Sequence, residues 1–155
     1  MSQRSFPVLP LLLLLAVLAV IGGAVAWSVL ASSELPSGPV DLVFDKAACA
    51  ACGMHVGEPA FAAQLTDKSG RTHAFDDPGC LFLYIEEHHP EVHAIWFRHW
   101  QEPRWIAGDR VAFAKVEVTP MGFGIGAVDG GTAGAIGYDE ARRKCLERTS
   151  GHGGK

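Results

Sequence analysis

Residues 61–85, FAAQLTDKSGRTHAFDDPGCLFLYI, hold a hairpin and a helix start in one run. Phe61 to Thr66 and Arg71 to Phe75 read as two strands around the turn-like quartet Asp67-Lys68-Ser69-Gly70. Asp76-Asp77-Pro78 follows, an aspartate N-cap with proline in the first turn, which starts a helix. That helix passes through Cys80 to Ile85 and ends near His88-His89-Pro90. Toward the C-terminus, aromatic-rich Val92 to His99 reads as a strand, and Val111 to Val118 alternates as a half-buried strand. Met121 sits in a turn, Phe123 to Val128 returns as a glycine-rich strand, and Asp129 to Gly137 is a glycine loop. Tyr138 to Thr149 carries Ala141, Cys145 and its charges at helical spacing, and Val40 to Phe44 reads as a short strand before the hairpin. Strand-strand-helix-strand followed by strand-strand-helix predicts the α+β class, with small antiparallel sheets and helices in two similar units.

The chain ahead of this region has a different solvent in view. No Asp, Glu, Lys or Arg occurs from Ser5 to Ser33, and Leu11 to Leu30 is almost wholly aliphatic. Twenty helical residues span about 30 Å, the thickness of a bilayer's hydrocarbon core. Arg4 precedes the run, while Glu34 and Asp41 follow it, so the positive-inside rule leaves the N-terminus in the cytoplasm and exports the rest. A cleaved signal ending near Val29-Leu30-Ala31 is the alternative, although signal cores usually run about 7–15 residues. The predicted organisation is an anchor or signal at 1–31, a linker at 32–39, a domain at 40–149 and a disordered tail at 150–155. The expected location is the inner membrane, single-pass with a periplasmic domain, or the periplasm if the N-terminus is removed. The 155 residues carry 13 Lys+Arg against 17 Asp+Glu, a net −4, which gives no electrostatic footprint for nucleic acid. A 48% hydrophobic and 19% charged composition excludes a disordered chain.

Four cysteines occur, at 49, 52, 80 and 145. Cys49-Ala50-Ala51-Cys52 can be a zinc half-site, a redox dithiol, a structural disulfide or a soft-metal loop. Zinc wants four closed ligands, and no second CxxC appears, although Cys80 and a histidine could complete a set. Gly53 and Pro59 interrupt any long helix after Cys52, unlike a thioredoxin-type dithiol. Beyond the initiator, the only methionines are Met54, beside Gly53, and Met121, in Thr119-Pro120-Met121-Gly122. Core methionines fill gaps among apolar neighbours, whereas these two sit on glycine-flanked turns. Thiolate plus thioether is the donor set that selects Cu(I).

These motifs carry a family resemblance. Cys49-Ala50-Ala51-Cys52-Gly53-Met54, Phe61-Ala62-Ala63-Gln64, Phe75-Asp76-Asp77 and Thr119-Pro120-Met121-Gly122-Phe123-Gly124 resemble NosL proteins, copper-binding accessory proteins of nitrous oxide reductase. The resemblance runs over most of Asp41 to Val128. It implies two ββαβ-type units and a periplasmic Cu(I) chaperone, not an enzyme. The implied partners are copper donors and a periplasmic copper enzyme, foremost nitrous oxide reductase. It also implies Cys52, Met54 and Met121 as ligands, with Cys49 beside them. Typical members are lipoproteins, whereas no cysteine ends this apolar run, and Cys80 and Cys145 have no place on the family's copper motif. Two other readings compete: a membrane-tethered thiol-disulfide oxidoreductase using Cys49 and Cys52, and a structural zinc domain. Trp96, Trp100 and Trp105 are expected to pack the sheet, and His55, His88 and His89 to face solvent.

Overall fold

The computed structural model describes residues 8–31 and 35–150. The chain forms two compact units that divide between Leu35 and Pro36, inside the predicted linker. The first contains α1 (Val8–Ala31), whose segment Leu9–Ser28 is long and apolar enough to cross a bilayer. Its leucines from Leu9 to Leu18 are exposed, which in water would be unfavourable for so many aliphatic side chains.

The second unit is built on the predicted hairpin. β1 (Ala63–Asp67) pairs antiparallel with β2 (Thr72–Phe75), in a register from Ala63↔Phe75 to Thr66↔Thr72. Asp67 closes the turn, its carboxylate accepting the backbone N–H groups of Ser69 at 2.9 Å and Arg71 at 3.1 Å. α2 (Pro78–His88) begins at the expected cap, with the Asp77 carboxylate accepting the Gly79 N–H at 2.9 Å. It ends on His89 in the left-handed conformation, with φ 44°. β3 (Val92–Arg98) returns beside β1, and β4 (Trp105–Ala107) pairs with β3, so the first sheet is ordered β2-β1-β3-β4. The second sheet, ordered β6-β5-β7, contains β5 (Val111–Lys115), β6 (Ile125–Asp129) and the short β7 (Ile136–Gly137), and α3 (Tyr138–Ser150) follows it. All strand pairings in both sheets are antiparallel, in the α+β class that the sequence predicts.

Phe82 on α2 holds these pieces together. Its ring centroid lies 6.0 Å from Phe97 of β3, 5.6 Å from Phe113 of β5 and 5.1 Å from Tyr138 of α3. One side chain therefore touches both sheets and the last helix. Burying a phenylalanine of this kind stabilises by about 1.5–3 kcal/mol, and the edge-on ring pairs add to that.

Three readings of the sequence change. Val40–Phe44 is not a strand, because its backbone is occupied by a side chain rather than a ladder. The Gln64 amide, 1% exposed, accepts the Val40 N–H at 2.9 Å and donates to the Val40 carbonyl at 2.7 Å. β4 and β7 were hidden by brevity, at three and two residues. Ser150 closes α3 instead of opening the tail, and residues 151–155 lie outside the described residues.

Gln64→Leu keeps the volume but leaves both Val40 backbone groups unpaired on the sheet. Unfolding of the full chain in detergent should show a loss of about 1–3 kcal/mol. The Val40 amide should lose its protection from hydrogen exchange.

Candidate metal centre

The segment after Val40 folds into a tight hairpin around the two close cysteines. The Cys49 N–H donates to the Met54 carbonyl at 2.7 Å, and the Gly53 N–H donates to the Cys49 carbonyl at 2.9 Å. Gly53 sits at φ 75°, a left-handed position that glycine adopts without steric cost. The Ala50 N–H bonds to the Ala74 carbonyl at 2.8 Å, which ties this loop to β2. Cys49 is buried beneath the loop and Cys52 is exposed on it.

The third thiol comes from α2. Cys80 is the third residue of the helix, counting from the Asp77 cap, and is 1% exposed. The sulfurs of Cys49, Cys52 and Cys80 all lie within 4.8 Å of one another. A thiolate–metal bond of about 2.3 Å places two sulfurs on a single ion at most about 4.6 Å apart. The cluster is therefore near the spacing that one ion needs. It also sits at the positive end of a helix, which favours anionic sulfur.

The three thiols are electrostatically unequal. The contact with Cys80 draws the Cys49 thiol down to about 5, against the opposing effect of burial. The same contact and burial push Cys80 up, and partial desolvation pushes Cys52 up. Cys49 is thus the sulfur of the three whose charged form is favoured, through its contact with the Cys80 thiol.

Two buried carboxylates fix the surroundings. Asp76 accepts the Gly57 N–H at 3.1 Å and so holds the end of the cysteine hairpin. Asp77 has two tasks. One oxygen caps α2 through Gly79, and the other accepts the Met121 N–H at 3.3 Å. Thr119 also hydrogen-bonds the Asp77 carboxylate. The Thr119–Gly122 turn is closed by the Gly122 N–H on the Thr119 carbonyl at 3.0 Å. Behind it, the Phe123 ring rests on Gly79 so closely that a Cβ there would stand 2.1 Å from a ring carbon. Burial pushes both Asp76 and Asp77 up.

Of the four residues proposed from sequence, Cys49 and Cys52 are brought together directly. Met54 follows in the same hairpin, with its side chain 47% exposed. Met121, 37% exposed, is carried by Asp77 to the start of the helix that bears Cys80. From sequence, Cys80 enters only as a residue that could complete a zinc set with a histidine, not as a partner in the soft-metal loop. The signal was its place three residues after an N-cap aspartate, masked because a cysteine between Gly79 and Leu81 also reads as helix core. Cys145, buried in α3, is outside the cluster. His55 turns its Nδ1–H to the Asp45 carbonyl at 2.6 Å, and His88 stacks edge-on against Tyr84 with centroids 4.3 Å apart.

The sequence matches no protein-family model and no curated protein. Among solved structures, the crystal structure of the copper chaperone NosL from Shewanella denitrificans is similar to it. The two are 18% identical, with a TM-score of 0.48, over 73% of this chain and 89% of that one.

Asp77 tests how the site is held. Asp77→Ala should cost about 1–2 kcal/mol through loss of the cap and should release the Met121 turn, while Asp77→Asn keeps the cap. Because folding raises the Asp77 pKa above its ordinary 3.8, the stability tied to it is full below that value and falls as pH rises through the folded pKa. Unfolding of the reduced, metal-free chain at several pH values should show a shallower fall in Asp77→Asn.

Proposed function

We propose that this protein is a Cu(I) metallochaperone, which takes the ion at the thiol cluster and passes it to a copper enzyme outside the cytoplasm. The observation that carries this reading is the grouping of Cys49, Cys52 and Cys80 within 4.8 Å, with one member exposed. Soft sulfur donors in low number suit Cu(I), and a closed zinc site wants four. Met54 and Met121 add thioethers at the rim, which sharpen the preference for Cu(I) over zinc. On this reading Cu(I) is cargo. Cys49 and Cys80 hold it from the protein side, and Cys52 is the donor that an incoming cysteine, methionine or histidine displaces. Met121, on its own turn, is the ligand that can leave with least disturbance to the hairpin.

The residues do not favour a thiol-disulfide oxidoreductase. Exchange needs an accessible sulfur and one free partner thiol, yet Cys49 is buried and a third thiol, Cys80, stands within 4.8 Å of the pair. The apolar helix α1 suits a tether that keeps the 40–149 domain at the outer face of the inner membrane. The motif resemblance makes nitrous oxide reductase the first client to test.

A competition titration of the reduced full chain in detergent, against a Cu(I) chelator, checks the reading. Cys52→Ser and Cys80→Ser should each lower Cu(I) affinity by more than about 100-fold. Met121→Leu and Met54→Leu, which keep volume and lose sulfur, should each lower it by roughly tenfold. Stoichiometric zinc with no copper retained would overturn the proposal.

A further inference from the structure

A groove of about 590 Å³ opens between the second sheet and α3, and its wall includes the end of the Met121 turn. Half-buried Phe123, Val116 and Ile136 give it apolar surface. Lys115, Lys144 and Arg148 line it together, with Glu117 as the one acidic residue of the lining. The chain as a whole carries −4, so the groove reverses the protein's own sign. Lys115 and Lys144 are exposed. Lys144 pairs with Glu140 at 2.8 Å across one helical turn, an exposed contact weak enough for an incoming carboxylate to replace.

We propose that this groove docks an acidic segment of the protein that receives the ion, with an apolar side chain of that segment against Phe123 and Ile136 and its carboxylates on Lys115, Lys144 and Arg148. Complementary charge at such a surface chiefly speeds encounter and fixes register. The position of the groove gives docking a second consequence. Arg148 donates to the Phe123 carbonyl at 3.3 Å, and the Phe123 ring rests on Gly79, one residue before Cys80. A carboxylate drawn to Arg148 competes with that carbonyl, two residues after Met121. The partner's arrival would thus loosen the Met121 turn at the moment of transfer. The identity of the partner and this last consequence rest on the metal-delivery reading; the groove's preference for an acidic segment does not.

The test uses the reduced, metal-free full chain in a neutral detergent. Its probe is a fluorescein-labelled nonapeptide of alternating glutamate and leucine, with the lysine-leucine counterpart as control. Anisotropy should show saturable binding of the acidic peptide, weakening as salt rises. The double substitution Lys115→Glu, Lys144→Glu should weaken it at least about tenfold, since both residues are exposed and the fold should be retained. No saturable binding up to millimolar peptide overturns the proposal, as does equal binding of the two peptides. Unchanged affinity in the double variant, with or without an unchanged melting temperature, also overturns it. So does displacement of the peptide by short-chain phosphatidylglycerol at lower concentration, which would assign the groove to anionic lipid. Cu(I) affinity measured on the same variant should equal wild type. Peptide binding by a chain that fails to hold Cu(I) would leave the groove standing and remove the delivery reading instead.

Discussion

Two consecutive buried carboxylates at the start of α2 organise everything that is chemical in this protein. Asp76 and Asp77 are 3% and 0% exposed, a placement that is costly for carboxylates unless each is hydrogen-bonded. Both are. Asp76 takes a backbone N–H from the segment that closes the cysteine hairpin, and Asp77 takes one from the helix and one from the Met121 turn. Segments far apart in sequence, one before β1 and one between β5 and β6, thereby meet at a single helix end. Neither segment has regular secondary structure of its own to fix it there. The helix itself is held by Phe82, whose ring reaches both sheets and α3.

What was readable in the sequence follows from which contacts are local. Asp67 and its turn, the Asp77 cap and Pro78 are interactions within four residues, and residue type alone announces them. The Val40–Phe44 segment looked like a strand because it alternates and is apolar. Its partner is the side-chain amide of Gln64, 24 residues on, a pairing that no periodicity encodes. β4 and β7 exist only because β3 and β5 offer them an edge. The site divides in the same way. Cys49 and Cys52 advertise themselves by spacing, whereas Cys80 joins them only once β1, β2 and α2 have folded.

The cluster is graded from inside to outside. Cys80 and Cys49 belong to the buried core, and Cys52 stands in solvent three residues from Cys49. A uniformly buried set of sulfurs would hold an ion but offer no route to a partner, and a uniformly exposed set would collapse into whichever disulfide formed first. On the metal-delivery reading, burying two and exposing one separates retention from access. The contact of Cys80 with Cys49 adds to this separation, because it favours the charged form of the inner sulfur.

The carboxylate pair also limits how the site can move. The Met121 turn is fixed by hydrogen bonds to Asp77 and by the contact of Phe123 with Gly79, and both attachments lie on α2. The cysteine hairpin is fixed through Asp76 and through Ala50 on β2. The two loops therefore share a helix end but no direct backbone hydrogen bond to each other among those of the described residues. Each loop reaches the helix end by its own hydrogen bond, through Asp76 for the hairpin and through Asp77 for the Met121 turn. On the metal-delivery reading, a ligand carried on the Met121 turn is attached to the helix end independently of the hairpin that carries Cys49 and Cys52.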